Sequence, residues 1–227
     1  MEHMCKKCMI GLEKVVNKGR VEDTPFPSRL FYEYAAAEKQ EVLDLCEEIK
    51  PRRTLEVGCG PGRLIEVVRA EDVEEIVGID ANKSIFNHAT KRFKGDNRVR
   101  IIYSLVKGRL PFQDDYFDLI INAMNIVGWQ SNEIGWLSEM LRCSSTVYFT
   151  VYKKGFEQER QGIYLARGHK DIKQHANGVL INDCELGSSL SRSYTREELK
   201  GLCRRLPVKH EINDLSTLAY SCVLKKS

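Results

Sequence analysis

The residues of this sequence with the clearest chemical potential are an acid and three alternate glycines, in the stretch Glu56-Val57-Gly58-Cys59-Gly60-Pro61-Gly62. Glycine lacks a Cβ atom, so a chain of such residues can turn sharply and let a ligand approach the backbone. The Glu56 carboxylate can accept hydrogen bonds from hydroxyl or ammonium groups of that ligand. The pattern therefore predicts a turn that binds a small polar ligand.

The residues on either side of the glycines predict the elements that position them. Leu55 and Val57 lead into the turn as a buried strand would. Apolar residues at helical spacing follow it, namely Leu64, Ile65, Val67 and Val68. The order of strand, glycine turn and helix directs the free N–H groups of the first helical turn toward a bound ligand.

A second acid follows at the distance expected for a parallel neighbouring strand. Asp80 ends the apolar run Glu75-Ile76-Val77-Gly78-Ile79-Asp80, about 20 residues after the glycine turn. A carboxylate there can accept hydrogen bonds from both hydroxyl groups of a ribose. The alternative is that Asp80 caps the helix that begins near Asn82 or Lys83, and the two roles are compatible.

The spacing of the glycines separates two classes of cofactor site. Nicotinamide and flavin sites use G-x-G-x-x-G, but Arg63 stands at the third glycine position of that pattern. The observed E-x-G-x-G-x-G pattern resembles motif I of the class I S-adenosylmethionine-dependent methyltransferases, and Asp80 matches the acid of motif II. The run from Leu110 to Asn122 resembles the LPF-x-D-x-x-FD segment that leads into the fourth strand of many small members.

The resemblance implies a doubly wound α/β fold with a mostly parallel, seven-stranded sheet. Its strand order is expected to be 3-2-1-4-5-7-6, with an antiparallel last strand and helices on both faces. The alternation of apolar patterns agrees with this fold. It predicts strands at 53–57, 75–79, 98–103, 117–122 and 145–152, separated by helices at 62–70, 83–93 and 131–142.

The end of the chain predicts a helix followed by an antiparallel pair. The helix at 195–205 opens with the capping box Thr195-Arg196-Glu197-Glu198. Two extended segments follow at 208–213 and 217–224, and the short connection between them favours antiparallel pairing.

The domain organisation is expected to be a loosely ordered tail over residues 1–24 and one methyltransferase domain over residues 25–227. A helix is predicted from the N-cap Ser28 to Ile49, where Pro51 ends it. Residues 153–194 interrupt the alternation, and we interpret them as an insertion that caps the substrate. Within it, Asn177-Gly178 predicts a hairpin with a type I′ turn.

The resemblance implies S-adenosylmethionine as the cofactor. The residues expected to contact it lie in the glycine turn and at the ends of the first four strands: Glu56, Gly58, Cys59, Gly60, Gly62, Asp80, Ala81, Ser104, Leu105 and Asn122. The family commonly has an acid after strand 3 that meets the adenine amino group. This chain has none there, so Ser104 or a backbone carbonyl is expected to replace it.

The residues expected to face the methyl acceptor lie on the first helix, after strand 4, at the end of strand 5 and in the insertion. They are Tyr32, Tyr34, Asn125, Trp129, Tyr152, Arg192 and Tyr194. Packing in the core is an equal alternative for Tyr32 and Tyr34. The sequence identifies no catalytic base and predicts no metal site, because the C-x-x-C pair Cys5 and Cys8 has no second pair at suitable spacing.

The expected function is transfer of a methyl group to a small or medium-sized metabolite. The N/D-P-P-Y/F motif of amino-methylating nucleic-acid enzymes is missing after strand 4, where Asn122-Ala123-Met124-Asn125 stands. A net charge of +3 also argues against a nucleic-acid partner. Three alternatives stay open: a non-catalytic methyltransferase-like binding module, an RNA methyltransferase and an oxidoreductase.

Composition favours a single domain without membrane association. The chain has 227 residues, of which 42% are hydrophobic. It shows neither an apolar run of about 20 residues nor a secretory signal. Most of its eight cysteines fall in predicted core elements, which favours a reduced, cytoplasmic location. The oligomeric state is not predicted.

Overall fold

The computed structural model describes residues 26–106, 108–166, 168–183 and 188–226. The predictions made for the tail 1–24, including the pair Cys5 and Cys8, lie outside these described residues.

Helices and strands alternate through the first two thirds of the described chain, apart from one pair of consecutive strands. In chain order they are α1 Phe26–Ile49, β1 Arg53–Val57, α2 Arg63–Arg69, β2 Glu75–Asp80, α3 Lys83–Arg92, β3 Val99–Tyr103, β4 Phe117–Asn122, α4 Glu133–Cys143, β5 Ser144–Lys153, α5 Glu157–Ala166, β6 Ile172–His175, β7 Gly178–Ile181, β8 Ser189–Tyr194, α6 Arg196–Cys203, β9 Lys209–Asp214 and β10 Ala219–Lys225. A short 3₁₀ helix, Val127–Trp129, lies between β4 and α4.

The central sheet has the predicted order and directions. Strands β3, β2, β1, β4 and β5 lie side by side and run parallel. Strand β10 then pairs antiparallel with β5, and β9 pairs antiparallel with β10. The order 3-2-1-4-5-7-6 and the antiparallel last strand are therefore confirmed, with β9 and β10 as the sixth and seventh strands.

Strands β6 to β8 add a branch that the seven-stranded prediction does not contain. Strand β8 pairs in parallel with β5 only at Tyr152 and Lys153. Because β10 already pairs with β5 as far as Tyr152, β8 must use the opposite edge, beyond the end of β4. Strands β7 and β6 continue from β8 by antiparallel pairing. The insertion is thus continuous with the main sheet.

The predicted type I′ turn in the insertion is wrong, although the hairpin is present. Strands β6 and β7 are joined by Ala176 and Asn177, and neither has the positive φ that this turn requires. Gly178 instead begins β7, where a Cβ would lie 2.1 Å from the Ser191 carbonyl oxygen. This glycine lets β7 approach β8 closely rather than closing the turn.

Helix α1 begins at Phe26, so the predicted N-cap Ser28 lies inside its first turn. The helix ends at Ile49 as predicted, because a residue before a proline avoids helical geometry and Lys50 takes a φ of 46° ahead of Pro51. The predicted capping box at α6 is confirmed. Thr195 Oγ1 accepts from Glu198 N at 3.2 Å, and the Thr195 N–H donates to Glu198 Oε2 at 2.8 Å.

The core lies on both faces of the sheet. Leu119 and Ile121 of β4 pack with α1 and α2 on one face, whereas Ile120 packs with α4 and α6 on the other. The cysteines that the structure describes are free and buried, at Cys46, Cys59, Cys143, Cys203 and Cys222. In the described ranges, no helix has both the length and the apolar character needed to cross a bilayer.

Candidate functional site

The predicted cofactor residues meet at one edge of the sheet. Strands β1 to β5 are parallel, so their carboxyl ends share one edge of the sheet, near which Val57 pairs with Ile79, Asp80 with Tyr103 and Asn122 with Phe149. Ligands of open α/β sheets bind in the crevice outside such ends. The glycine turn, Asp80, Ser104 and Asn122 therefore share the edge where the fold places a ligand.

The three glycines of the turn have positive φ angles of 76°, 55° and 84° at Gly58, Gly60 and Gly62. Side chains other than glycine avoid this region of backbone space. The turn is fixed to the neighbouring strand, because Gly58 N and Cys59 N donate to the Ile79 carbonyl oxygen at 2.7 and 3.0 Å. The sequence forms this turn because glycine is the residue that adopts its backbone at low cost.

Two of these glycines also serve packing within the protein. A Cβ at Gly58 would lie 2.0 Å from Ile126 Cδ1, and one at Gly62 would lie 2.2 Å from the Phe93 ring. Gly60 has a different part, because its N–H donates to Asp80 Oδ2 at 2.9 Å. Of the three, Gly60 therefore links the turn directly to the second predicted acid.

Asp80 is buried at the end of β2 and is held by backbone N–H groups. Gly60 N contacts Oδ2, and Asn82 N donates to Oδ1 at 2.8 Å. Burial raises the pKa of this carboxyl, and the backbone N–H bonds oppose the rise. The N-cap of α3 is Asn82, whose Oδ1 accepts from Ser84 N and Ile85 N. The alternative of Asp80 as the N-cap is therefore wrong.

Glu56 is buried just before the glycine turn. Its Oε2 has no hydrogen-bond partner in the protein. Burial raises the pKa of this carboxyl to about 8, an effect that the nearby Arg63 guanidinium opposes and the Glu38 carboxylate reinforces. A buried polar atom without a partner calls for an explanation, and the predicted cofactor contact of Glu56 stays a prediction.

Asn122 holds the ends of three elements together. Its Nδ2 donates to the Val57 carbonyl oxygen at 2.9 Å, and its Oδ1 accepts from Trp136 Nε1 at 3.1 Å. The side chain is fully buried, so it fixes β4 against β1 and α4. Its predicted cofactor contact stays a prediction.

The remaining predicted cofactor residues lie around the same edge. Ser104 N donates to the Asp80 carbonyl oxygen at 3.0 Å, and Ser104, Leu105 and Ala81 are half-buried. Cys59 is buried inside the glycine turn, and burial raises the pKa of its thiol. Their contacts with a cofactor stay predictions.

A buried acid on α1, which sequence analysis missed, organises the other side of the site. Glu38 is 0% exposed, and its Oε1 accepts from Thr150 Oγ1 at 2.5 Å and from Met124 N at 3.0 Å. Its other oxygen forms an ion pair with Arg63 at the start of α2. Tyr34 extends the network through a 2.7 Å hydrogen bond between its hydroxyl and Thr150 Oγ1. The available signal was an acid four residues from both Tyr34 and Val42, which places all three on one face of the predicted helix.

The loop after β4 carries two consecutive non-glycine residues in the left-handed region, Met124 at φ 56° and Asn125 at φ 64°. Such a conformation costs about 1–3 kcal/mol per residue and persists only where the surroundings fix it. Here Glu38 and Thr150 bind Met124 N, and the Thr150 carbonyl oxygen accepts from Asn125 N at 3.1 Å. The strain lies at the carboxyl edge, next to the glycine turn.

Asn125 joins the insertion to the core sheet. Its Nδ2 donates to Ser191 Oγ at 3.0 Å and to the Arg192 carbonyl oxygen at 3.1 Å. Its Oδ1 accepts from Tyr152 N at 3.1 Å. The amide therefore has protein partners at both of its polar atoms, and its predicted contact with an acceptor stays a prediction.

The predicted aromatic residues fall in two places. The rings of Tyr34 and Tyr152 are 5.6 Å apart in an edge-to-face contact, while Tyr32 is half-buried on α1. Trp129 is buried against the insertion, with its ring centroid 6.3 Å from that of Tyr164. Burial raises the pKa of Tyr34, as expected for a phenol in the core.

Arg192 and Tyr194, which were predicted to face the acceptor, both bind Glu133 at the start of α4. Arg192 Nη1 and the Tyr194 hydroxyl each lie 3.0 Å from Glu133 Oε1. Arg192 also donates to the Gln130 carbonyl oxygen. The two residues fasten β8 to the loop before α4. In the described ranges, no group of three His, Cys, Asp or Glu side chains is arranged to hold a metal ion.

Comparison with known proteins shows what the chain resembles. Residues 54–145 match the profile of the methyltransferase domain family. This stretch, which is less than half of the chain, is similar to methyltransferase domains. The matched stretch runs from β1 to the start of β5 and contains the glycine turn, Asp80 and Asn122.

Solved structures share its fold at low sequence identity. An S-adenosylmethionine-dependent methyltransferase from Clostridium acetobutylicum ATCC 824 is 12% identical with a TM-score of 0.61, over 97% of this chain and 99% of that one. The plantazolicin methyltransferase BpumL, in complex with SAH (S-adenosylhomocysteine), is 15% identical with a TM-score of 0.62, over 98% and 91%.

A curated relative is more similar in sequence over a shorter region. The malonyl-[acyl-carrier protein] O-methyltransferase of Legionella pneumophila (strain Philadelphia 1) is 33% identical over 143 residues. These residues make up 60% of this chain and 49% of the relative, so the chain spans about half of the relative's length.

Proposed function

We propose that the protein is an S-adenosylmethionine-dependent methyltransferase whose acceptor is a small or medium-sized metabolite bound beneath residues 153–194. The observation that carries this proposal is the arrangement at the carboxyl edge. There the Asp80 carboxylate binds the N–H of Gly60, and Glu56 presents a buried oxygen without a partner.

The donor set fits S-adenosylmethionine. Asp80 is positioned to accept hydrogen bonds from the ribose hydroxyl groups. The N–H groups of Gly60 and Asn82 orient its two oxygens, and each oxygen can still accept a further hydrogen bond. The free oxygen of Glu56 suits a cationic donor such as the amino group of the methionine moiety. Ser104 and Leu105 follow β3, where the adenine ring is expected.

Bound S-adenosylmethionine supplies an electrophilic methyl group on a sulfonium, which is already a good leaving group. The chain therefore has to align the acceptor and exclude water. The buried links of Asn125 to Ser191 and Tyr152 hold the insertion against the end of β5, and Trp129 packs under it against Tyr164. These contacts support a closed acceptor site.

The charges of the insertion support a small acceptor rather than RNA. Among its basic residues, Lys153 pairs with Asp214 and Lys154 pairs with Glu198, and Arg160 is fully buried. Nucleic-acid binding needs a concentrated, accessible basic surface. The curated relative is named as a malonyl-[acyl-carrier protein] O-methyltransferase, and one similar solved structure is named as the plantazolicin methyltransferase. Neither name refers to a nucleic acid.

A cytoplasmic location is part of the same proposal. It is supported by the free, buried state of the five cysteines that the structure describes.

The first test is calorimetric titration of the protein with S-adenosylmethionine and S-adenosylhomocysteine, followed by a metabolite screen for methylated product. We expect binding and turnover. Binding without any product would favour the non-catalytic binding module, and tight binding of a nicotinamide cofactor instead would favour an oxidoreductase.

A pair of glycine variants makes the binding test specific. Gly60→Val should abolish cofactor binding, because its side chain would occupy the ligand's approach to the turn. Gly95→Val is the matched control, since Gly95 also has a positive φ but lies before β3, away from the carboxyl edge, with open space around it. Normal cofactor binding by Gly60→Val would contradict the assigned site.

A further inference from the structure

Arg160 on α5 is the largest fully buried side chain of the described residues, and no acid in these ranges forms an ion pair with it. It is 0% exposed. Its Nη2 donates to the Ser191 carbonyl oxygen at 2.8 Å and to Ser191 Oγ at 2.6 Å. Nε and Nη1 are buried without a hydrogen-bond partner. An arginine stays charged, so a cation with unused N–H donors lies inside the molecule.

Retaining such a group is costly for stability. Desolvation of a charge costs several kcal/mol and is repaid only when acceptors surround it. Replacing buried charged groups by apolar residues of similar volume is often neutral or stabilising. The Arg160 guanidinium is therefore poorly explained as a structural element alone.

The guanidinium lies beside the elements that close the carboxyl edge. Its Cζ is 4.2 Å from the centroid of the Tyr152 ring, near the end of β5, and that ring contacts Tyr34 of α1. Its partner Ser191 also accepts a hydrogen bond at Oγ from Asn125 Nδ2, which belongs to the strained loop after β4. Arg160 thus connects the insertion to the loop, strand and helix that border the proposed acceptor site.

The neighbouring charges define what kind of ligand Arg160 suits. Three other basic side chains of this region already have acidic partners: Arg63 with Glu38, Lys153 with Asp214 and Arg192 with Glu133. Arg160 has no such partner among the acids that the structure describes, so one negative charge would balance it. A carboxylate carries one charge, whereas a phosphate monoester carries about 1.5 to 2 at neutral pH.

The surroundings also indicate the rest of the ligand. Tyr152 belongs to a buried apolar cluster with Phe31, Tyr34 and Ile163. An apolar body packed against these side chains would bury hydrophobic surface while its carboxylate meets the guanidinium. Because Arg160 is sealed from solvent, the insertion has to move for such a ligand to reach it.

We propose that Arg160 binds a carboxylate of the methyl acceptor, which is a carboxylic acid with an apolar body. That the bound acid is the methyl acceptor rests on the proposed function. Binding of the carboxylate itself can be measured without methyl transfer. Nε and Nη1 of Arg160 donate to the carboxylate oxygens, and the ring of Tyr152 keeps the guanidinium in place.

The test is thermal unfolding and calorimetry with butyrate, hexanoate and phenylacetate, each beside its primary amide, with and without S-adenosylhomocysteine. We expect at least one acid to raise the melting temperature and its amide not to do so. Arg160→Met should weaken binding of that acid about tenfold or more, the scale of a lost charged hydrogen bond. The melting temperature of ligand-free Arg160→Met should equal or exceed that of the wild type.

A matched control is Arg142→Met, because Arg142 of α4 is ion-paired with Glu139 and Asp114. Arg142→Met should lower the melting temperature of the ligand-free protein, and the acid should still raise the melting temperature as it does in the wild type. The proposal is overturned if none of the acids stabilises the wild type, if the amide works as well, or if Arg160→Met responds like the wild type. Stabilisation by inorganic phosphate alone would overturn the carboxylate assignment. A protein that binds the acid but no S-adenosylmethionine would refute the proposed function and leave this site standing.

Discussion

The two sides of the proposed site, one for the cofactor and one for the acceptor, are built in different ways. On the cofactor side, the turn after β1 and the acid after β2 are joined through backbone groups about 20 residues apart, as in the bond from Gly60 N to Asp80. On the acceptor side, side chains more than 100 residues apart make the contacts, with Tyr34 and Glu38 of α1 bonded to Thr150 of β5. The cofactor side is therefore a compact motif, whereas the acceptor side is assembled by the fold.

The unused polar atoms on the two sides have opposite charge character. Glu56 has a carboxyl oxygen without a partner on the cofactor side, and Arg160 has N–H groups without a partner on the acceptor side. An S-adenosylmethionine cofactor is cationic, and a carboxylic acid is anionic. We infer that each side leaves one buried group for a ligand: Arg160 for an anion, and Glu56, which holds a proton in the ligand-free protein up to a pH of about 8, for a cation that displaces this proton.

The largest effect is expected from Glu38, on which the acceptor side depends. Glu38→Ala leaves Arg63 and Thr150 without their buried partner and should lower the free energy of unfolding by about 3–5 kcal/mol. Urea unfolding measures this loss. Glu33→Ala on the same helix is the control, because the ion pair of Glu33 with Arg29 is exposed and should contribute less than about 1 kcal/mol. Equal losses in the two variants would show that the buried network is not a stabilising unit.

The next effect is a pH dependence that belongs to the cofactor side. The pKa of Glu56 in the fold is about 8 against an ordinary value of 4.5, so between these pH values the folded state holds a proton that the unfolded state releases. The free energy of unfolding of the ligand-free protein should then fall as pH rises, by up to about 1.4 kcal/mol per pH unit. Urea unfolding at pH 5.5, 6.5 and 7.5 tests this slope.

The matched variants for this prediction are Glu56→Gln and Glu66→Gln. Glu56→Gln removes the titrating group and should remove its share of the fall in the free energy of unfolding between pH 5.5 and 7.5. Glu66→Gln removes a more exposed acid of α2 and should leave that fall unchanged. The same slope in wild type and Glu56→Gln would mean that Glu56 is not the group responsible.

Asp80 gives a smaller effect, in ligand affinity. Asp80→Ala should weaken S-adenosylmethionine binding by about 1–3 kcal/mol, the scale of a lost charged hydrogen-bond pair. Asn82→Ala is the control, since it removes the N-cap of α3 and leaves the carboxylate in place. Calorimetry should find affinity reduced only in the first variant. Normal binding by Asp80→Ala would make the ribose assignment wrong.

The smallest effect is expected at the exposed lysines of the insertion, Lys170 and Lys173. We expect the wild type to bind RNA only weakly and in a salt-sensitive way. Replacing both lysines by Glu should change that affinity by no more than about twofold. Titration with RNA across a salt series measures this. Submicromolar binding at physiological salt by the wild type, lost in the double variant, would favour the RNA methyltransferase alternative.

Sequence reasoning reached the elements that repeat a local pattern. The strands around the glycine turn, the capping box at Thr195 and the antiparallel end of the sheet follow from apolar spacing and short connections, and all are present. It failed where contacts decide the backbone. Gly178 looked like a turn residue because it follows an asparagine, but the close approach of β8 explains it better.

The sequence by itself determined the order of the central sheet and identified the residues of the proposed cofactor side. Glycines on alternate positions, an acid before them and Asp80 one strand later act through neighbouring backbone, so their spacing along the chain is enough to identify them. A motif of this kind carries its own geometry.

Only the tertiary structure decided the acceptor side. Glu38 reads as one more acid of a helix until β5 places Thr150 against it, and Arg160 reads as a surface charge until the insertion buries it over Tyr152. The physical reason is that burial and long-range pairing, rather than residue type, fix what a charged side chain does. Those quantities exist only once the sheet has brought distant segments together.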